Sequence, residues 1–374
     1  MKPIFKVAAA SFLCLAPNFA VAQARLPNSI FWDGFNEAWF GDNYGNWLAS
    51  NPVYNQSSQY TDVVYSFQRN MIAGMSNANS RAKIVRVWLF PALQGIQSPV
   101  LPQTPHIADY SPTYHGLTPD FLKNLTTFIA RTKKKGLSAY LTLWNCGDAR
   151  QVIGYAPLQT FFSNLFLNRN GEFDNFKNYV LRPLLTTLNQ IRANDLPGDP
   201  TPAIYALDMC NEIDTALNYF PNGWAGARAF LANYSAFVRS ISPWLPVTSS
   251  VSSPYGVQEI TFGLLSGIGL TIYDDHNYSD TGTYSGQSAL CQKVRSDKAQ
   301  IILGEFAQRS SIYSDSLQAT VAANYLYGAK STCFSSALAW KFESTNQPWF
   351  TYLKTDGTCC RPAYSVIQSF GTSP

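Results

Sequence analysis

Eight runs of β-branched, aromatic and other apolar residues recur along this chain, with helical patterns standing between them. The runs are 29–40, 83–91, 137–145, 203–214, the stretch from 246, 270–278, 301–308 and 337–344. Val64, Phe67, Met71 and Met75 repeat at helical spacing, and segments 118–135, 173–192, 223–241 and 317–329 have the same pattern. Strands that alternate with helices pair in parallel, each reached through a crossover. Eight in one uninterrupted series predict a closed (β/α)₈ barrel in a single domain rather than an open sheet. No Gly-rich phosphate loop follows the first run and no GxGxxG occurs, which counts against a dinucleotide fold.

The chain is large enough for such a barrel. Of 374 residues, 46% are apolar and only 13% charged, a balance that favours a sizeable packed core over disorder. Aromatic residues reach 14%, which fills a core and also suits a surface that stacks on flat ligands. The helix at 118–135 is the best marked: Thr118 is placed to cap it, Pro119 fits its first turn and Asp120 complements its dipole. Lys133, Lys134 and Lys135 fall in the last turn before Gly136, so this basic run is a helix terminus rather than a binding patch.

Residues 1–24 read as a secretory leader, with 25–374 as the mature catalytic domain. Lys2 and Lys6 precede an apolar run from Val7 to Leu15, and small-x-small sites follow at Ala20-Val21-Ala22 and Ala22-Gln23-Ala24. The run is too short to span a bilayer. Export predicts a secreted or periplasmic protein with no membrane partner. Removing Lys2 and Lys6 lowers the formal charge from +4 to +2, and nothing in that balance points to nucleic acid. Cys146, Cys210, Cys291, Cys333, Cys359 and Cys360 remain, an even number that favours some disulfides in an exported chain. Cys146 and Cys210 lie in strand-like runs and read as buried thiols. No CxxC or Cys/His zinc spacing occurs, so neither a structural metal nor any other cofactor is expected.

In a (β/α)₈ barrel the site is built from residues at the C-terminal ends of the strands. The polar and aromatic residues so placed are Arg86, Asn145, Asn211, Glu212, His276, Tyr278, Glu305, Trp340 and Glu343. Two carboxylates stand out: Glu212 ends AIYALDMCNE, and Glu305 lies in IILGEFAQ. Two facing carboxyl groups are what glycosidic bond cleavage requires, one protonated to donate to the leaving oxygen and one ionised at the sugar carbon. Arg86 would keep one of them charged while burial raises the other. Their separation in space decides between retention and inversion. His106 and His115 fall in a loop-like segment and read as bystanders.

Together these segments resemble the clan A glycoside hydrolases, most closely glycoside hydrolase family 5, the cellulase and mannanase-like enzymes. KIVRVWLFP, ALDMCNE, YDDHNY, ILGEF and ALAWKFES stand in the family's order, and DGTCCRPAYSVIQSF is similar to the segment leading into its last helix. The resemblance implies Glu212 as acid/base and Glu305 as nucleophile, with Asn211 on the sugar 2-hydroxyl and Arg86 holding Glu305. It places His276 and Tyr278 beside the nucleophile and Trp340 as the floor under the sugar. Many members carry a histidine after strand three, where this chain has Trp144 and Asn145. The expected protein is a monomeric, retaining β-glycosidase acting on a polysaccharide, of endo-β-mannanase or endo-β-glucanase type. An exo-acting enzyme, a transglycosylase and an inactive glycan-binding barrel are its rivals. Trp39, Trp47, Trp88 and Trp144 are candidates to extend the cleft.

Overall fold

Every residue of β1 (Trp32–Asn36), β2 (Ile84–Trp88), β3 (Ser138–Thr142) and β4 (Ile204–Asp208) is buried. Strands covered on both faces belong to a parallel sheet wrapped by helices. In this computed structural model, the residues described are 31–38, 72, 75, 82–90, 96–97, 116–117, 119–146, 162–195, 201–252, 254–283, 287–308, 314–342, 352 and 360–370. The expected leader, Trp39, Trp47, His106, His115, Glu343 and most of the first helical pattern lie outside them. Of that pattern Met75 is described, and it is helical and buried, as is nearby Ile72.

The sheet continues through β5, which is split into Val247–Thr248 and Ser250–Val251, to β6 (Ile272–Tyr278), β7 (Gln300–Ala307) and β8 (Phe334–Ala339). All pairs are parallel. Neighbour order runs from Val247–Thr248 through β4, β3, β2, β1, β8, β7 and β6 to Ser250–Val251. The two ends of the sheet are thus one stretch of chain interrupted at Ser249, and the barrel closes with eight strand positions. The predicted (β/α)₈ architecture is the one observed.

Helices α1 (Pro119–Lys134), α2 (Arg182–Ala193), α3 (Trp224–Ile241), α4 (Gln287–Ser296), α5 (Asp315–Lys330) and α6 (Pro362–Ser369) lie in the connections. α1 ends with Arg131, Lys133 and Lys134 in its last turn, and Gly136 follows at φ 74°. A positive φ of that size is open to glycine at little steric cost, and it stops the helix. The pattern expected at 173–192 is met by Glu172–Phe176, a wide π turn at Lys177–Leu181, and α2.

Strand period two divides the buried residues into an outer shell under the helices and an inner file. Trp32, Ile84, Tyr140, Tyr205, Ala206, Ile272, Ile302 and Leu338 plug the interior. Two residues further along the same inward faces come Arg86 and Asp274, and His276 follows at the next inward position. Gly34 is required where β1 meets β2, because a Cβ there would lie 2.0 Å from the Ile84 carbonyl oxygen.

Asp33 points the other way and is 3% exposed, with Oδ2 making no hydrogen bond among the described residues. Burial raises its carboxyl to about 7, against smaller opposing effects from its backbone and Lys83. An acid raised in the folded state binds its proton more tightly there than when unfolded. Stability therefore falls as pH climbs from about 4 to 7. Asp33→Asn is expected to add on the order of 1–3 kcal/mol at pH 8 and almost nothing at pH 4. Urea unfolding at the two pH values checks this, and an equal effect at both would contradict it.

Candidate active site

Arg86 is the hub of the barrel interior. It is fully buried on β2, and its guanidinium reaches side chains of β1, β4 and β7. Nη1 donates to Glu305 Oε1 at 2.5 Å and to Asn36 Oδ1 at 3.1 Å. Nη2 donates to Asp208 Oδ2 at 2.9 Å and to Asn211 Oδ1 at 2.8 Å. The planar fork fixes two carboxylates and two amides at once, which a lysine cannot do. Behind it, the Tyr140 ring lies 5.2 Å from the guanidinium carbon.

Past the end of β4 the chain is no longer sheet, yet it is tightly held. Asn145 and Asn211 bridge as strand residues, and Asn211 Nδ2 donates to Asn145 Oδ1 at 3.1 Å. Cys146 and Cys210 are joined by a disulfide, with Cα atoms 5.5 Å apart. These two are therefore not the buried thiols expected: consecutive parallel strand ends bring their Cβ atoms within bonding reach. A second disulfide joins Cys291 in α4 to Cys333. Glu212 takes φ 55°, a left-handed conformation uncommon outside glycine, and its backbone N–H donates to Ser250 Oγ at 2.8 Å. Strain at such a position is tolerated where surrounding bonds enforce it.

β6 and β7 supply the rest. His276 and Tyr278 share the inward face of β6 by period two. The β6–β7 register shifts between Leu303 and Glu305, bringing Glu305 opposite His276. Tyr278 donates its hydroxyl to Glu305 Oε2. His276 Nδ1 lies 3.1 Å from Glu212 Oε1 and 3.5 Å from Glu305 Oε2. One donor atom from each of Glu212, His276 and Glu305 lies within 4.8 Å of the others, the one such group of three among the described residues. Those atoms have the spacing of a cation site, with His276 between the carboxylates and with Arg86 and Tyr278 on the oxygens of Glu305.

Burial pushes the Glu305 carboxyl up, and the His276 and Arg86 charges pull against it; the net direction is upward. The two effects expected on separate carboxylates thus fall on the same one, because the residue nearest Arg86 is also 3% exposed. Burial also raises the Tyr278 hydroxyl, with Glu305 and Glu212 adding to the shift, so this phenol remains a donor.

Trp340 follows β8 and packs with Trp88, Ala38 and Ala307 beside Tyr278, its ring centroid 6.0 Å from that of Trp88. Trp144 does not line the cleft. It is fully buried against Phe162 and Phe176, because it occupies the outward position before Asn145. The structure brings together Arg86, Asn145, Asn211, Glu212, His276, Tyr278 and Glu305, with Trp340 beside Tyr278. It adds Asn36, Asp208 and Asp274, which sequence reasoning passes over. Asp208 carries a signal: it stands at an inward period-two position of an otherwise apolar run.

A scan of the sequence against protein-family models returned no match, and a search of curated proteins returned none. Comparison of structures is more informative. The chain is similar to a β-mannanase from the blue mussel Mytilus edulis, at 16% identity and TM-score 0.60 over 92% of each chain. It is similar to an endo-1,4-β-mannanase from Rhizomucor miehei at 14% identity and TM-score 0.60, covering 92% of this chain and 95% of that one. An exo-β-1,4-mannosidase from Opitutaceae bacterium strain TAV5 aligns at 13% identity and TM-score 0.58, over 92% of this chain and 61% of the other. What these likenesses show is a shared (β/α)₈ barrel fold.

Proposed function

We propose that the chain is a retaining β-glycosidase acting on a β-linked polysaccharide, of endo-β-mannanase or endo-β-glucanase type. The observation that carries this is the Glu212–His276–Glu305 cluster, whose donor atoms lie within 4.8 Å of one another. Retention needs carboxyl groups roughly 5–5.5 Å apart, whereas inversion leaves room for a water at roughly 6.5–9.5 Å. Carboxylate oxygens this close favour the first.

Glu212, the more exposed of the two carboxyl groups, donates its proton to the glycosidic oxygen. Glu305 attacks the anomeric carbon and forms a glycosyl-enzyme. Glu212 then takes a proton from the water that releases the sugar. Arg86, Tyr278 and His276 all face Glu305, which favours its ionised form against the cost of burial. Asn211 uses its oxygen on Arg86 and one amide hydrogen on Asn145, leaving the second hydrogen for a sugar hydroxyl. Trp340, beside Tyr278, offers an aromatic face to the ring.

The mannanases among similar folds favour β-mannan as substrate, and the mannosidase among them favours an exo-acting enzyme as the second reading. Export follows from the leader at 1–24 and is supported by the Cys146–Cys210 and Cys291–Cys333 disulfides, since such bonds persist in oxidising compartments. The mature domain is then 25–374, acting as a monomer. The test is incubation with β-mannan, β-glucan and xylan, with the first-formed anomer followed by proton NMR. Cleavage of β-mannan with release of the β-anomer is expected. A folded protein that cleaves none of the three, or releases the α-anomer first, overturns the proposal.

A further inference from the structure

Two buried polar atoms in the barrel interior face each other, and neither has a hydrogen-bond partner among the described residues. Asp274 Oδ1 and His276 Nε2 stand 3.8 Å apart, and both residues are fully buried. Unpartnered buried polar atoms are destabilising and rare, so two side by side mark a pair. Both residues lie on the inward face of β6. The Asp274 carboxylate is fixed from its other sides: Tyr140 donates its hydroxyl to Oδ2. Gly304 gives it room, since a Cβ there would lie 2.0 Å from Oδ1.

Resting on the glycosidase assignment above, we propose that Asp274 is a positioning residue for that reaction. Its Oδ1 stands as ion-pair partner to His276 Nε2 and so aims Nδ1–H between Glu212 and Glu305. With a proton on each nitrogen the ring is an imidazolium. The charged groups around it are Glu212 beyond β4, Asp208 in β4, Glu305 in β7, Arg86 in β2 and Asp274 in its own strand. Four carboxylates against one guanidinium leave an excess of negative charge, which the imidazolium reduces. Burial alone would pull the ring down, but Glu305, with Asp274 and Glu212, holds it well above the usual histidine value. The cation between the two catalytic carboxylates relieves their repulsion. Glu305 can then stay ionised, and Nδ1–H holds Glu212 Oε1 in place beside it.

The chain has only 3 histidines, so His276 can be assigned by nitrogen-15 NMR from the signal that a His276→Gln variant loses. In the wild type at pH 7, both ring nitrogens are expected to be protonated. In Asp274→Asn, the midpoint of the His276 titration falls by at least about one pH unit, because one pairing carboxylate has gone. Its kcat falls roughly 10- to 100-fold with little change in KM, and the alkaline limb of its pH profile moves down by the same interval. A neutral His276 in the wild type at pH 7, or an unmoved midpoint in a folded Asp274→Asn protein, overturns the proposal. If that variant does not fold, the wild-type measurement decides alone. The NMR readout needs no substrate. A protein that cleaves no glycan but shows the shift would refute the assigned function and leave the pair standing.

Discussion

Glu305→Gln is expected to lower kcat on β-mannan by at least about 10⁴-fold, with KM changed severalfold at most. An amide cannot attack the anomeric carbon, so the covalent route closes, while the groups that bind the sugar stay in place. Gln keeps the shape: its one oxygen accepts from Arg86, and its amide NH2 donates to the Tyr278 oxygen, which can reverse its role. Asp208 remains as counter-ion to Arg86, so the variant should fold. Glu212→Gln should cost less, about 10²- to 10⁴-fold, and least on substrates whose leaving group needs no proton. Truncation to Ala with added azide separates the roles. Azide entering beside Glu305→Ala gives the α-glycosyl azide directly, whereas beside Glu212→Ala it captures the glycosyl-enzyme as the β product. The reverse pairing would exchange the two assignments, and full activity in either Gln variant would remove both.

Much of this site is legible in the amino-acid sequence because barrel chemistry sits where apolar strands end. Asn211-Glu212 closes an apolar run, Arg86 interrupts one, and His276-x-Tyr278 places two polar side chains on one face. The eight strand positions are legible for the same reason: burial on both faces makes continuous apolar runs. What escapes a linear reading depends on contacts between strands. Asp208 lies hidden inside ALDMCNE because its partner, Arg86, comes from another strand. Asp274 is hidden likewise, since the neighbours that explain it are Tyr140 in β3 and Gly304 in β7. The Cys146–Cys210 bond requires knowing that β3 and β4 end side by side. Trp144, open in the sequence to a place in the cleft or in the core, belongs to the core, because alternation breaks past Thr142: Asn145 turns to Asn211 and Trp144 packs on Phe162 and Phe176.

Arg86→Met is expected to destabilise the protein by about 3–5 kcal/mol, the range for removing one partner from a buried ion pair. The loss is not that of a salt bridge's attraction alone. Met leaves Asp208 and Glu305, both buried, without the charge that holds them, and it removes donors from Asn36 and Asn211. The pH dependence separates this from a packing defect. Burial already raises both carboxyl groups, and Arg86 is a main opposing influence on each. Without it their folded pKa values rise further, and the folded state pays for ionising them as pH increases. The destabilisation should therefore be largest at pH 8 and shrink towards pH 4, where both acids can take up protons. A loss that stays constant across that range in urea unfolding would mean Met merely packs badly. Adding Glu305→Gln to Arg86→Met should recover part of the stability at pH 8, because one uncompensated charge has gone. Strict additivity of the two substitutions would show that they do not interact, contrary to the 2.5 Å contact between them. Arg86→Lys keeps the charge but cannot span Asn36, Asp208, Asn211 and Glu305 together. It should retain more stability than Met while still losing about 10²-fold or more in kcat, because Glu305, the proposed nucleophile, and Asn211, proposed to bind a sugar hydroxyl, would no longer be held by one rigid group.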